Sequence, residues 1–185
     1  MPDVDEDVPS AADSTPEQMA EALAGAKALA VAQRESRGLV LAADTLVVDG
    51  ETVLGKPRDP DEAAVMLRRL RDREHRVITG LALVDAGSPK LSLVDHVTTA
   101  VRMRLYSEDD IAAYIARGEP FDKAGAYAIQ DEAFHPVARY DGCYCNVVGL
   151  PLRAVVRLFR EGRLDITNEH LAGLPAECAE CPIEG

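Results

Sequence analysis

An acidic and a hydroxyl side chain, Asp44 and Thr45, stand together in the stretch LVLAADTLVVDGETVLGKP at residues 39–57. They follow a short apolar run that is typical of a buried strand, and Asp49-Gly50 predicts a two-residue hairpin turn. Lys56 lies in the loop that ends the return strand. A carboxylate at the end of a buried strand, with a lysine loop downstream, suits an anionic substrate and a metal ion. The pattern alone is equally compatible with Asp44 capping the strand end or accepting hydrogen bonds from backbone amides.

The bulk composition indicates a globular protein with one ordinary domain. A chain of 185 residues is long enough to bury a proper core. Its net charge of -12 argues against a nucleic-acid backbone or an anionic membrane as the main partner, although it does not exclude a phosphorylated small molecule. No apolar run approaches the ~20 residues of a membrane span, and the acidic N-terminus does not resemble a signal peptide. We therefore predict a cytoplasmic protein.

Two helices are expected on either side of the Asp44 stretch. A capping box at Thr15 predicts a helix of about twenty residues with an Ala-rich stripe, and Lys27 lies beside that stripe. Pro60 begins a second helix. The expected apolar residues are Met19, Leu23, Ala26 and Ala30 in the first helix and Ala63, Met66, Leu67 and Leu70 in the second.

The rest of the chain alternates irregularly between strands and helices. Residues 76–84 and 91–105 predict an antiparallel hairpin, and Ser107 caps a third helix that Gly118 ends. Further short strands are expected at 126–130, 137–140 and 144–150, before a last helix through residue 159 and a tail at 163–185. This order predicts an α/β or α+β fold with a mixed sheet. Since the glycine-rich nucleotide-binding motifs are absent from the sequence, any phosphate recognition must use lysines and loop amides.

The four cysteines form two short pairs, Cys143-x-Cys145 and Cys178-x-x-Cys181. Together they could make a four-thiolate zinc site. However, the first pair lies in an expected strand and the second in an expected tail, and a lone C-x-x-C is a weak signal. Without an export signal, reduced free thiols are the favoured interpretation.

Seven strings in one order resemble the Maf family of nucleoside triphosphate pyrophosphatases over residues 2–160. They are PDVDE at 2–6, A-x-x-K-A around Lys27, AADT at 42–45, GKP at 55–57, E-A-x-x-M-L at 62–67, EPFDKAGAYAIQ at 119–130 and NVVGLPL at 146–152. The resemblance implies one domain over residues 1–162, with an elongated, two-lobed α/β fold whose mixed, twisted sheet is flanked by helices. The string AGAYAIQ resembles the branch that acts on dTTP and UTP.

The resemblance also implies an activity and a set of site residues. Family members hydrolyse nucleoside triphosphates to the monophosphate and pyrophosphate with a divalent metal, Mg²⁺ or Mn²⁺, and often form dimers. Asp44 matches the proton-accepting aspartate, which with Glu6 would bind the metal. The substrate-binding positions are Lys27 and Lys56 for the phosphates and Thr45 and Gln130 for the base.

The residue types fit this chemistry. Attack on the α-phosphorus needs a deprotonated water, neutralised phosphate oxygens and cations beside the pyrophosphate leaving group. Mg²⁺ is usually held by one or two carboxylates plus substrate phosphates, so Asp44 with Glu6 would suffice. Lysines supply point charges for the triphosphate. Gln130 offers both a donor and an acceptor, which suits the imide edge of thymine or uracil.

Two departures from the family pattern lead to further expectations. Asp131 and Glu132 follow Gln130 where the family usually has glycine, which is expected to alter the base pocket.

In addition, Met1 directly precedes PDVDE, so the family's first strand and its Ser-x-x-Arg-Arg phosphate loop are expected to be absent. We favour a start codon assigned too far downstream over a genuine truncation. The chain as written is expected to be weak or inactive as a pyrophosphatase, and the alternative function is a non-catalytic nucleotide-binding or cell-division regulatory protein.

Overall fold

A computed structural model describes residues 14–88, 92–166, 173, 175–178 and 181. Within this part of the chain the strands are β1 Leu39–Asp49, β2 Thr52–Leu54, β3 Glu74–Asp85, β4 Ser92–Met103 and β5 Val137–Asp141. The α-helices are α1 Pro16–Ala32, α2 Pro60–Leu70, α3 Glu108–Ala116, α4 Tyr144–Val148 and α5 Leu152–Glu161. Two short 3₁₀ helices lie at Ala124–Ala126 and Ala176–Cys178. Among the described helices, none combines the length and apolar character needed to cross a membrane.

The five described strands form one sheet in the order β2-β1-β3-β4-β5. The predicted hairpin at Asp49-Gly50 is present, with Val47 opposite Leu54 and a left-handed φ of 62° at Gly50. β4 and β5 also pair antiparallel. The α/β class with helices flanking a sheet is confirmed, and the described sheet is antiparallel rather than mixed.

The chain divides into two compact units. The first contains the chain up to Thr45, Ile78–Thr98 and the chain from Cys143 onward. The second contains Leu46–Val77 and Thr99–Gly142. The single domain over residues 1–162 with a separate tail remains a prediction.

In the first unit, the residues that α1 buries against the sheet are alanines, and the partly buried Leu29 packs beside them. The buried stripe is Ala20, Ala24, Ala28 and Ala32. The capping box at Thr15 and the Ala-rich character of the stripe are confirmed, whereas the predicted positions are wrong: the buried residues lie one position after Met19 and Leu23 and two positions after Ala26 and Ala30. The cause is Gly80 of β3, where an added Cβ would lie 2.2 Å from the carbonyl carbon of Ala20. At that distance only the smallest side chains fit between helix and strand.

The two faces of β1 contribute to different clusters of this unit. Val40 and Ala42 pack with the α1 alanines and with Ala82 and Val84 of β3. Leu41 and Ala43 pack on the other face, in a cluster built from Leu81, Leu83, Val97, Cys143, Cys145, Ala154, Val155, Leu158 and Cys181. Successive side chains of a strand point to opposite faces, so the parity of a position decides its neighbours. Residues 39–46 have no described strand on the side where β2 pairs.

In the second unit, α2 buries the predicted face of Ala63, Met66, Leu67 and Leu70, which is therefore confirmed. The Ser107 capping box of α3 is also confirmed. The ring of Tyr114 stacks on Phe134 at a centroid distance of 4.4 Å.

The second unit also contains a buried histidine, His75. Its Nε2 lies 2.7 Å from the Tyr127 hydroxyl oxygen, and its Nδ1 has no hydrogen-bond partner within the described residues.

Two predicted strands are wrong. Residues 126–130 form no strand, and the segment begins after a 3₁₀ turn in which Gly125 and Ala126 have left-handed φ values of 69° and 63°. Residues 144–150 begin with the short helix α4, which ends at Gly149 with a φ of 120°. A short apolar run fits a buried helix turn as well as a strand, so its pattern alone could not decide. The strand predicted at 91–105 ends at Met103, and Leu105 beyond it is 75% exposed.

Replacing Gly80 by Ala should destabilise the protein strongly. The new Cβ would meet main-chain atoms of α1, which cannot rotate away, so we expect a loss of ~3 kcal/mol or more in the free energy of unfolding. Gly25→Ala is the matched control within α1, where an added Cβ meets nothing within 4 Å. This control should gain ~0.5–1 kcal/mol, the usual advantage of Ala over Gly in a helix. Urea unfolding followed by circular dichroism measures both, and equal stability of the two variants would contradict the close packing at Gly80.

The stability of the protein should depend on pH through His75. Burial, partly opposed by the charge of Asp49, lowers the pKa of His75 to about 4. The unfolded chain therefore binds a proton that the folded chain does not, so this contribution is present above the unfolded pKa of 6.5 and is lost as pH falls towards 4. Between pH 7 and pH 5 the free energy of unfolding should fall by about 2 kcal/mol from this group alone.

His75→Gln should flatten this pH slope, and His135→Asn, at an exposed loop histidine, is the matched control that should retain it. Urea titrations at pH 7, 6 and 5 measure the slope. A His75→Gln variant with the slope of the wild type would show that another group titrates.

Candidate functional site

Asp44 lies on the face of β1 that is covered by α1, and its carboxylate forms an ion pair with the ammonium group of Lys27. The side chains are partly open to solvent, at 14% for Asp44 and 32% for Lys27. Lys27 reaches this point because it directly precedes Ala28 of the buried alanine stripe. The structure thus brings together two residues that the sequence predicted for the site, a carboxylate able to accept a proton and a cation able to contact phosphate.

Thr45 takes part in a chain of hydrogen bonds on the other face of β1. Its hydroxyl oxygen lies 2.8 Å from that of Thr79, a fully buried residue of β3. The Thr79 hydroxyl lies in turn 3.2 Å from the backbone oxygen of Asn146 in α4. Gly149 is next to Thr45 as well, because an added Cβ there would be 3.5 Å from Thr45 Oγ1. Two of the strings recognised in the sequence, AADT and NVVGLPL, therefore meet at Thr45.

Asp44 and Thr45 thus face opposite sides of the same strand. One contacts α1 through Lys27 and the other contacts β3 and, through Thr79, α4. The printed contacts of the two side chains therefore differ, with the Lys27 ammonium on one face of β1 and hydroxyl and backbone oxygens on the other.

In the second unit, a backbone hydrogen bond joins the loop that contains Lys56 to the loop that precedes Gln130. The backbone N–H of Gly125 donates to the Gly55 oxygen at 3.0 Å. An added Cβ at Gly125 would come within 2.8 Å of Val47, so the glycine permits this approach. Lys56 itself is exposed.

An acidic residue accompanies the lysines of these loops. The Lys123 ammonium, 2.6 Å from Asp122, holds the pKa of that carboxyl below its ordinary value, and the charge of Lys56 acts in the same direction. The Asp122 side chain is largely open to solvent, so its ion pair with Lys123 can rearrange around a ligand.

Gln130 is exposed and lines a cavity of about 450 Å³ within the second unit. The other lining residues are Arg117, Glu119, Lys123, Ala128, Asp131, Glu132 and Ala133. This volume lies in the range of small-molecule sites. The lining is mostly polar and carries both signs of charge, which suits a hydrogen-bonding ligand better than an apolar one.

Asp131 organises the turn that follows Gln130. Its oxygens accept from Arg117 Nη2 at 2.8 Å each, and Oδ1 also accepts the Phe134 N–H at 2.7 Å. Burial would raise the pKa of Asp131, but the Arg117 and backbone hydrogen bonds outweigh it and hold the pKa below the ordinary value. The residue that departs from the family pattern is therefore the anchor of this turn.

No group of three His, Cys, Asp or Glu side chains that could hold a metal occurs within the described residues. Asp44 offers a single carboxylate, which fits a Mg²⁺ ion held mainly by water and substrate phosphates rather than by an all-protein cage. Glu6, the second expected metal ligand, lies outside the described residues.

The cysteines of the first unit are brought together more closely than the sequence suggested. Cys181 is buried in the same cluster as Cys143 and Cys145. Burial, followed by a hydrogen bond with Cys181, raises the pKa of the Cys143 thiol to about 11. None of Cys143, Cys145 and Cys181 forms a disulfide, and Cys143 is a protonated core side chain at neutral pH.

Sequence reasoning missed Thr79 and the anchoring role of Asp131. Thr79 is the sole hydroxyl in the apolar run at 76–84, and a polar residue at a fully buried strand position is the signal that could have identified it. Of the predicted site residues, Lys27, Asp44 and Thr45 lie together in the first unit. Lys56 and Gln130 lie in the second unit, and the role of each remains a prediction.

Comparison with known proteins yields one family and many relatives. A family model described as Maf-like protein matches residues 1–162. A protein of Thermomicrobium roseum named dTTP/UTP pyrophosphatase is 49% identical over 180 residues, which is 97% of this chain and 81% of the relative. Proteins with the same name from Pelotomaculum thermopropionicum and Symbiobacterium thermophilum are 48% and 47% identical, over 80% and 87% of this chain and 76% and 80% of their own lengths.

Removing the Asp131 carboxylate should destabilise the turn that carries Gln130. Asp131→Ala leaves the N–H of the buried Phe134 without its acceptor and Arg117 without its partner. We expect a loss of ~1–3 kcal/mol in the free energy of unfolding. The matched control is Glu132→Ala at the adjacent exposed position, which should change stability by less than ~0.5 kcal/mol. Chemical denaturation compares the two variants. An Asp131→Ala variant as stable as Glu132→Ala would show that Asp131 does not stabilise the turn.

Proposed function

The chain belongs to the Maf-like protein family, and from this membership we propose that it hydrolyses nucleoside triphosphates, with dTTP and UTP as the preferred class, to the monophosphate and pyrophosphate. The observation that carries the proposal is the ion pair of Asp44 and Lys27. It provides a proton acceptor beside a cation in the middle of β1, and not at a strand end as the sequence predicted, in a chain that is 49% identical to a protein named for this reaction.

Asp44 acts as the general base in the proposed reaction. One of its carboxylate oxygens takes a proton from the attacking water, whose oxygen forms a bond to the α-phosphorus while the bond from that phosphorus to the bridging oxygen breaks. The electron pair leaves with pyrophosphate. Lys27 orients the carboxylate in the free protein and offers its charge to the phosphates when the nucleotide binds.

A divalent cation, Mg²⁺ or Mn²⁺, is part of this proposal. Asp44 supplies one oxygen ligand for it, and Glu6 is the second carboxylate that the family pattern assigns. When bound, the cation supplies charge neutralisation at the phosphate oxygens and makes water easier to deprotonate.

Recognition is assigned to the remaining predicted residues. Lys56 is proposed to contact the phosphates, and Thr45 and Gln130 to contact the base. The exposure of Gln130 and its place in a polar cavity support this role. The cytoplasmic location and the homodimer remain predictions, as does the low activity expected from the departures in the sequence.

Asp44→Asn should lower kcat for dTTP and UTP by about 10²- to 10⁴-fold, because it removes the proton acceptor and nearly preserves the side-chain shape. Pyrophosphate release with Mg²⁺ or Mn²⁺ measures this effect. Asp95→Asn is the matched control, since Asp95 is also a partly buried strand aspartate paired with a cation, Arg157. The control should retain wild-type turnover.

Two outcomes would overturn the proposal. Equal turnover of Asp44→Asn and wild type would remove Asp44 from the chemistry. A wild-type chain that binds dTTP in a calorimetric titration but releases no pyrophosphate with either metal would instead support the non-catalytic alternative.

A further inference from the structure

We propose that Thr79 is a positioning residue that makes Thr45 a hydrogen-bond acceptor towards the base of the nucleotide, and so selects a base with an N–H at the facing position. The proposal rests on the proposed function for the identity of the ligand. The evidence for the orientation of Thr45 is the hydrogen-bond chain from Thr45 through Thr79 to Asn146, which lies wholly within the first unit.

The direction of this chain follows from counting protons. The Thr79 hydroxyl has one proton and approaches two oxygens, Thr45 Oγ1 at 2.8 Å and the backbone oxygen of Asn146 at 3.2 Å. A backbone oxygen can only accept, so Thr79 donates to Asn146. Thr79 must then accept from Thr45, and the proton of Thr45 points inward.

The opposite direction is disfavoured by burial. If Thr79 donated to Thr45 instead, two lone-pair oxygens would face each other at 3.2 Å with no proton between them. Thr79 and Asn146 are both fully buried, so water cannot relieve this contact at Thr79. The Asn146 oxygen also accepts the Gly149 N–H at 3.0 Å, which fixes its position.

The outward side of Thr45 therefore presents lone pairs only. Thr45 is partly exposed, and Gly149 places no side chain over its oxygen. Such an acceptor matches the N3–H of uracil or thymine. Cytosine presents a lone pair at the same ring position, so its contact with Thr45 would be repulsive unless the base shifted.

Selectivity between UTP and CTP tests the proposal. Thr79→Val preserves the volume of the side chain and removes the acceptor for the Thr45 proton, so Thr45 can rotate and donate. We expect the ratio of kcat/KM for UTP to that for CTP to fall by about threefold to tenfold, the effect of one hydrogen bond. Thr79→Ser retains the hydroxyl and should keep the wild-type ratio.

A second pair of variants separates positioning from a general effect on stability. In a Thr45→Val background the Thr79→Val change should no longer alter the UTP to CTP ratio, because there is no hydroxyl left to orient. A change in kcat/KM by the same factor for both nucleotides, or equal ratios for Thr79→Ser and Thr79→Val, would overturn the proposal.

The outcome can be distinguished from failure of the proposed function. If the wild-type chain releases no pyrophosphate, the same ratio is taken from dissociation constants for α,β-imido analogues of UTP and CTP. Wild-type protein that hydrolyses or binds both nucleotides equally would overturn the role of Thr79 and leave the activity intact. Protein that neither binds nor hydrolyses any nucleotide would overturn both.

Discussion

The packing of α1 against Gly80 is the constraint on which the described site depends. Helix and strand approach closely at Gly80, where an added Cβ would meet the main chain of Ala20, and the residues that the helix buries are Ala20, Ala24, Ala28 and Ala32. A short interaxial distance brings a long side chain such as that of Lys27 within reach of the strand. The ion pair with Asp44 thus depends on the close packing of α1 on the sheet.

The second unit holds its candidate residues mainly through backbone geometry. The left-handed conformation of Gly125 lets its N–H reach the Gly55 oxygen, next to Lys56. Gln130 is likewise followed by a turn that Asp131 ties through the Phe134 amide. Exposed side chains that carry ligand contacts gain little from core packing, so a fixed main chain is what defines their position.

Much of this arrangement could be predicted from local sequence. Capping boxes at Thr15 and Ser107, the hairpin at Asp49-Gly50 and the buried face of α2 depend on neighbours three or four residues apart, and all are present. The register of the alanine stripe could not be predicted, because Gly80 decides it from a distant part of the chain. The helix at 144–148 and the role of Thr79 were missed for the same reason, since each depends on contacts that no local periodicity records.

The opposite orientation of Asp44 and Thr45 has a consequence for how such a protein diversifies. Substitutions around Thr45 alter its contacts with Thr79, α4 and the Gly149 turn, whereas those around Asp44 alter its contact with α1. If Thr45 and Asp44 have the proposed roles, a substitution that alters base preference on one face of β1 can leave the ion pair on the other face in place.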